Sequence, residues 1–296
     1  MDSFIVKVPA TSANIGPGFD CLGVALNLFN EVRFSFDDSI PLTITAEGFR
    51  GQLPKLPQKN LIYRAFCTAC EKFGVQPPRA MQIHCINNIP MGSGLGSSSS
   101  AIVAGICGAN QWGGFGMDRA ALLDLATEIE GHPDNVAPAI YGGLVAAVMD
   151  DSKVSLCRYT AADWNVAVVV PCFDLLTSES RRVLPKQVSM QDAVFNIAHS
   201  LLVVEALTKG DTALLRQGMQ DRLHQQYRLP LIPGASEAVQ AALDLGAAAG
   251  LSGAGPGVAA FTMEDPQPIL DAMCKAFADN MMNYHAFCLK ISPAAE

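Results

Sequence analysis

The residues best able to do chemistry in this chain lie in one short stretch: Pro90, Met91, Gly92, Ser93, Gly94, Leu95, Gly96, Ser97, Ser98, Ser99 and Ser100. Alternate glycines run into consecutive serines, and a small-residue, apolar sequence of helical character follows over 97–111. Without Cβ atoms at Gly92, Gly94 and Gly96 the backbone can turn its N–H groups toward a ligand, and a helix opening at the serines adds about half a positive charge at its N-terminus. That combination is a phosphate cradle. It is not a Walker A loop, since no Lys-Ser/Thr pair follows the glycines, and Ser97 breaks the G-x-G-x-x-G pattern. The bland reading, a flexible Gly/Ser linker, fits poorly with a loop that opens directly into an apolar helix.

A second glycine loop, Leu251-Ser-Gly-Ala-Gly-Pro-Gly257, sits in the other half of the chain. Alone it could be a tight turn; with the first it suggests two backbone surfaces closing on one nucleotide. The third segment is Glu128-Ile-Glu130-Gly-His132-Pro-Asp134-Asn135-Val-Ala-Pro138. Carboxylates in the last turn of a helix oppose its dipole by a few tenths to about 1 kcal/mol. One of Glu128 and Glu130 is therefore a candidate magnesium ligand, because magnesium takes carboxylate oxygen together with substrate phosphate; a solvated glutamate at a frayed end is the alternative for either. His132 and Asp134 could be a general base and its orienter, or could cap a turn. In a chain poor in cations, Arg181, Arg182 and Arg228 are the candidates for a bidentate carboxylate clamp.

The elements that must position these groups can be read from periodicity. Residues 4–9 and 28–36 alternate as strands around a polar loop, Thr11 to Asp20, and 60–73 reads as a helix. A strand follows over 81–87, then helices over 97–111 and 119–130, the latter capped by Asp118 and stopped by Gly131. Leu144–Met149 is strand-like, and Val166–Val170 starts a new strand beyond a polar turn around 150–153. Val194, Ile197, Ala198, Leu201 and Leu202 trace an amphipathic helix, and 235–247 a second. A strand over 257–263, a helix over 267–279 and a strand over 283–291 close the chain. With neither a strict βαβα rhythm nor an internal repeat, the expected class is α+β.

At 296 residues, 50 % hydrophobic and 16 % charged, the chain suits two modest domains. The expected boundary falls between about 150 and 165, giving domains of 1–160 and 161–296. An excess of 28 acidic over 20 basic residues, a net charge of −8, argues against a nucleic-acid partner. An anionic substrate must be held by a few placed cations, backbone amides or a metal. No run of about 18 apolar residues exists and the N-terminus lacks signal-peptide character, so no membrane partner is expected and the location expected is cytoplasmic. Nine cysteines, an odd number among apolar neighbours, suit reduced core thiols, and Cys67-Thr-Ala-Cys70 has no second pair to complete a zinc site.

The three loops together resemble those of the GHMP kinase superfamily: P-x-x-x-G-L-G-S-S near residue 90, an N-terminal V-P-A-T-S-A-N-x-G-P-G-F-D loop over Val8–Asp20, and the S-G-A-G-P loop from Ser252. Within it, that N-terminal loop combined with Gly131-His-Pro-Asp-Asn135-Val-Ala-Pro138 is similar to the homoserine kinase family. The resemblance spans nearly the whole chain. It implies a two-domain α+β fold, with an N-terminal half like ribosomal protein S5 domain 2, a ferredoxin-like C-terminal half, and ATP and substrate between them. It implies phosphoryl transfer from ATP to the hydroxyl of L-homoserine, a step toward threonine, and a homodimer. Residues 90–100 match the family's phosphate loop, and Asn60 a position near the adenine. Ser98 and Glu128 fall where the family holds Mg2+, with Glu130 the fallback. Asn14, Asp20, Asn135, Arg181 and Arg228 match positions around homoserine, with His132, Thr177 and Gly253 beside them. Homoserine is a zwitterion, so Asp20 suits its ammonium and the Arg181 and Arg228 guanidiniums its carboxylate. Arg182 lacks a family match.

Asn135, Arg181 and Asp134 are thus the candidate catalytic residues. Some superfamily members place an aspartate base where this chain has Asn135, and an amide accepts no proton usefully near neutrality, so no strong side-chain base is expected. The residues leave other readings open: a mevalonate or shikimate kinase of the same superfamily, or a nucleotide-binding sensor without turnover. A serine hydrolase is remote, because Gly250-Leu-Ser252-Gly-Ala254 only approaches G-x-S-x-G and a strand follows it.

Overall fold

A computed structural model of the protein describes residues 3–37, 39, 41–49, 56–151, 153–173 and 175–292. The first sheet is built from β1 (Ser3–Ala13), β2 (Leu22–Ser35), β3 (Thr43–Gly48), β4 (Gln82–Asn87), β5 (Leu144–Asp150) and β6 (Lys153–Tyr159). Its order is β3-β4-β2-β5-β6, with β1 paired along β2 and only β3–β4 parallel. One face is covered by α1 (Leu61–Lys72), α2 (Ser97–Gly113), α3 (Arg119–Glu130) and α4 (Pro133–Tyr141). Phe34 and Ile83 from the sheet meet Phe66, Ile102, Leu123 and Val136 from these helices in one core.

The second sheet comprises β7 (Asn165–Pro171), β8 (Ala248–Leu251), β9 (Val258–Thr262) and β10 (Tyr284–Lys290), antiparallel throughout in the order β10-β7-β9-β8. Between β7 and β8 run α5 (Thr177–Arg182), α6 (Met190–Lys209), α7 (Thr212–Gly218), α8 (Gln225–Arg228) and α9 (Ala235–Asp244), and α10 (Gln267–Asp279) joins β9 to β10. This β-α-β-β-α-β succession is the ferredoxin-like arrangement. Ala238 of α9 and Phe277 of α10 pack on one face. The other face, with Trp164, Val168 and Phe261, shares a core with Leu22, Val24 and Leu26 of β2, so one apolar layer joins the two sheets. The chain is α+β, as its lack of βαβα rhythm implies.

The differences from the sequence reading are local. β1 continues through Thr11–Ala13 into what reads as loop, because the polar side chains there pair across the site described below. Strands β3, β6 and β8 and helices α4, α5, α7 and α8 are not among the elements the sequence pattern predicts. β3 and β6 have largely exposed, weakly apolar sequences, β8 is four small residues, and α4 starts on a Pro at its first position after His132. The larger correction concerns α6. Its expected core face points outward: Val194, Ile197 and Leu201 are 58 %, 65 % and 69 % exposed. The buried residues are Asn196, Val203, Ala206 and Leu207. The helix carries two apolar stripes, and periodicity cannot say which meets the sheet.

All nine cysteines are free thiols. Within α1, burial and the neighbouring Cys67 push the Cys70 thiol up to about 12, which makes it unreactive. Among the described residues no helix is long and apolar enough to cross a membrane.

Candidate active site

The cradle forms where three loops close on one another. Gly94 and Gly96 both hold left-handed backbone, at φ of 76° and 67°. A Cβ on Gly94 would sit on the Ser252 carbonyl oxygen, and one on Gly96 on the Thr11 hydroxyl, so only glycine permits the approach. The Ser252 hydroxyl donates to the Gly94 carbonyl (2.7 Å) and lies 2.9 Å from the Ser12 hydroxyl. The Asn14 amide donates to the Gly253 carbonyl (2.7 Å), while the Gly257 N–H donates to Ser93. α2 therefore starts at a fixed point, with Gly96 as an N-cap that offers no side-chain acceptor. Its first N–H groups are left for a ligand, which is the condition for anion binding at a helix N-terminus.

The resulting cavity, about 340 Å³, is lined by Gly92–Gly94 and Gly96–Ser99 on one side and by Gly253–Gly255 on the other. Asn14, Asp20, His132, Asp134, Asn135, Arg181 and Arg228 also line it. Of the remaining predicted residues, Leu95 and Ser100 are buried behind the loop, and Pro90 and Met91 precede it outside the cavity. Asn60 is also outside; its side chain accepts from the Tyr63 N–H and caps α1. The Thr177 side chain lies outside the described residues. Arg182 is exposed and away from the cavity.

The acidic ligand candidate needs correcting. Glu130, not Glu128, reaches the serines: its Oε1 accepts from the Ser98 (2.7 Å) and Ser99 (2.9 Å) hydroxyls, whereas Glu128 is exposed and lines no part of the cavity. The two are two residues apart on α3 and so point to different sides of the helix. Composition at a helix end reveals that a carboxylate is present but not which one turns inward.

On the opposite wall, Arg181 grips Asp20 through two parallel bonds, Nη1 to Oδ2 (2.9 Å) and Nη2 to Oδ1 (2.8 Å). The Asp20 bond is what chiefly raises the Arg181 pKa. Arg228 is only 1 % exposed; burial and the nearby Arg181 charge push it down to about 10. Its Nε donates to the Ser180 carbonyl (3.3 Å) and its Nη1 faces His224 Nδ1 (3.2 Å), leaving Nη2 without a protein acceptor among the described residues. A guanidinium this buried favours an anion beside it. The wall thus pairs a carboxylate that still has open lone pairs with an under-satisfied cation, a chemistry suited to a zwitterion.

Between the two walls stands the α4 N-terminus. His132 Nδ1 lies 2.7 Å from Asp134 Oδ1, the Asn135 amide approaches the same oxygen (3.4 Å), and Asn135 Oδ1 accepts from the Thr11 hydroxyl (2.7 Å). Thr11, Phe19 and His224 are members of this site that sequence reasoning did not single out. Phe19 lies under both guanidiniums, with Arg181 and Arg228 centred 5.6 and 5.2 Å from its ring. It falls inside the quoted N-terminal loop, but an aromatic there carries no signal separate from a core residue.

His132 illustrates the local electrostatics. Burial lowers its affinity for a proton, but the Asp134 bond and the Asp134, Glu130 and Asp20 charges outweigh that and raise its pKa. A folded value above the unfolded one means that the pair stabilises the fold fully below the unfolded pKa and that this contribution is lost as pH rises through the folded pKa. Proton NMR should show the His132 ring titrating above the ordinary histidine value of about 6.5, and Asp134→Asn should bring the midpoint down. An unchanged midpoint would remove Asp134 as the cause.

Comparison with known proteins places this geometry. The GHMP kinases N terminal domain matches residues 60–143 and the GHMP kinases C terminal domain residues 203–279. A homoserine kinase of Moorella thermoacetica is 47 % identical over 276 residues, 93 % of this chain and 92 % of the relative. One of Desulfitobacterium hafniense is 40 % identical over 97 % of this chain and 96 % of its own. The crystal structure of homoserine kinase from Cytophaga hutchinsonii superposes with a TM-score of 0.89 at 32 % identity, covering 100 % of this chain and 97 % of that one. The crystal structure of L. major mevalonate kinase in complex with R-mevalonate shares the fold at a TM-score of 0.71 and 18 % identity, covering 97 % of this chain and 95 % of that one. With both GHMP kinase domains matched and homoserine kinases 40–47 % identical over more than nine-tenths of the chain, this protein belongs to the GHMP kinases and, among them, to the homoserine kinase family.

Proposed function

We propose that the protein transfers the γ-phosphoryl group of ATP to the hydroxyl of L-homoserine, giving O-phospho-L-homoserine and ADP on the way to threonine. One observation supports the reading beyond family membership: the glycine–serine loop with its helix start and the charged wall of Asp20, Arg181 and Arg228 line one cavity. The cradle at 92–99 takes the phosphates, and Asn60 is assigned near the adenine on the family match alone. Asp20 takes the ammonium of homoserine, Arg181 and Arg228 its carboxylate, and Asn14, His132, Asn135 and Gly253 complete the pocket, with Thr177 assigned beside them on the family match alone. A mevalonate or shikimate acceptor would bring no ammonium to the Asp20 oxygens, which Arg181 already holds.

Magnesium fits the residues present. Glu130 with the Ser98 and Ser99 hydroxyls is a hard-oxygen set beside the phosphate cradle. Among the described residues no group of three or more His, Cys, Asp and Glu side chains converges, so the remaining ligands would come from phosphates and water. When bound, the ion supplies charge neutralisation on the phosphates. Everything else rests on the chain: the α2 N–H groups hold the phosphates in line, Arg181 and Arg228 fix the acceptor, and Asn135, held by Thr11, positions without accepting a proton. Phosphoryl transfer through a loose transition state depends mainly on such placement, so the hydroxyl attacks and its proton leaves to the phosphate. Asp134 is already engaged by His132 and Asn135. We read residues 1–160 as the ATP-binding domain and 161–296 as the C-terminal domain, which the change of sheet between Tyr159 and Asn165 supports. We also place the protein in the cytoplasm.

The homodimer implied by the family has a surface to use. Met190, Val194, Ile197 and Leu201 are exposed along α6 at alternating four- and three-residue steps, the spacing by which two helices pair with copies of themselves. Light scattering should give the mass of two chains for the native protein and of one chain for Ile197→Lys; a dimer unaffected by the charge moves the contact elsewhere.

Coupled ADP release from Mg-ATP should be seen with L-homoserine and be absent with mevalonate, shikimate or no acceptor. In that assay Asp134→Asn should retain kcat within roughly tenfold; a collapse of about a thousandfold with ATP binding intact is the size a lost general base produces. Glu130→Gln should weaken the apparent Mg2+ affinity by roughly tenfold or more, about 1.4 kcal/mol, while Glu128→Gln leaves it unchanged. Equal effects would return the metal assignment to either residue.

A further inference from the structure

His224 is fully buried, outside the residues given a role above, and bonded on both edges of its ring. Nε2 lies 2.7 Å from the Gly16 carbonyl and Nδ1 3.2 Å from Arg228 Nη1. A carbonyl only accepts and a guanidinium only donates, so the ring is neutral, with the proton on Nε2. Burial chiefly, and the Arg228 charge, favour that neutral form and hold its pKa below the ordinary histidine value, against the opposing pull of Asp221. Asp221 Oδ2 lies 3.7 Å from Nε2 but is engaged by the backbone N–H groups of His224 and Gln225. Phe19 stacks on the ring at 5.3 Å. A neutral imidazole offers a rigid donor and acceptor on opposite edges of one ring.

What the two bonds hold is the substrate wall. The loop between β1 and β2 contains three non-glycine residues with left-handed backbone, Asn14, Ile15 and Asp20, at φ of 69°, 43° and 55°. Asparagine and aspartate tolerate this, but a β-branched residue does so only when its surroundings hold it. The Gly16 carbonyl is the point at which His224 holds that loop. The other edge, with the Ser180 carbonyl, occupies two of the three nitrogens of Arg228, a residue that lines the cavity, and leaves Nη2 without a protein acceptor among the described residues.

We propose that His224 is a positioning residue for acceptor recognition: it sets the Arg228 guanidinium against the Asp20 loop, so that the carboxylate of the acceptor is read by a fixed nitrogen. The proposal rests on the assignment of Arg228 to that carboxylate, and the experiment separates the two. The readout is the ratio of kcat/KM for L-homoserine to that for 3-aminopropan-1-ol, which keeps the ammonium and hydroxyl but lacks the carboxylate. Arg228→Gln should lower the ratio by at least about tenfold; if it does not, the carboxylate assignment fails and the proposal with it. His224→Phe keeps the stacked ring and removes both bonds. It should lower the ratio by roughly tenfold, raise KM for homoserine and leave KM for ATP within about twofold. His224→Gln, which retains an acceptor and a donor, should recover most of the ratio. Combined with Arg228→Gln, His224→Phe should lower the ratio no further. Equal loss with both acceptors, a rise in KM for ATP, or additive effects in the double variant would show a purely structural role and overturn the proposal. His224→Gln carries the same test in the event that His224→Phe does not fold, since an unaltered ratio in Arg228→Gln, or equal losses with both acceptors in His224→Gln, is decisive without it.

Discussion

The architecture depends on how closely two backbones approach each other. Gly94 lies against the Ser252 carbonyl at a distance no side chain permits, and the Ser252 hydroxyl completes the contact by bonding back to Gly94. That contact ties the first half of the chain to the second at the point where α2 begins. A helix N-terminus attracts anions only as accurately as it is aimed, and here the aim is set by main-chain contact rather than by adjustable side chains. The shared apolar layer between the sheets, from Val24 to Val168, holds the halves together over a wide area. The glycine contact fixes where on that area the site falls.

The electrostatics follow from the same economy of cations. A chain with a net charge of −8 and no lysine among its cavity-lining residues presents the start of a helix on one wall and two guanidiniums on the other. Arg181 is neutralised by Asp20, so the pair adds recognition without adding net charge. Arg228 is the unbalanced charge, and its depressed pKa reflects burial near another guanidinium. Desolvation of this kind is unfavourable in the free protein and would be relieved by the acceptor carboxylate proposed to lie beside Arg228, so the same burial that lowers its pKa would sharpen it as a selector.

What could be read from the sequence divides along the same physical line. The glycine loops were legible because only glycine fits where backbones touch, and such positions leave a mark in residue type. The class of fold and most elements were legible from periodicity, as α1, α3 and α10 show. The inward carboxylate was not: Glu128 and Glu130 share a helix end, and the choice between them is made by the angle at which α3 meets the serines. The outward stripe of α6 was not legible either, since Val194, Ile197 and Leu201 have the composition of a core and differ from one only in what they face. β3 and β6 escaped because edge strands with solvated faces have little apolar alternation to show.

The least legible part is the buried polar network behind the site, which no local pattern announces. Asp221 gathers the N–H groups of Leu223, His224 and Gln225 together with the Asn196 amide, and that amide also donates to the Pro17 carbonyl. Through these bonds the buried face of α6, the turn before α8 and the loop carrying Asp20 become one body. The four donors around Asp221 favour its ionised form against the burial that opposes it. A strained loop bearing Ile15 in left-handed backbone is tolerable only against such a body. The residues that touch the ligands are therefore few and recognisable, while their directions are set by residues that touch only one another.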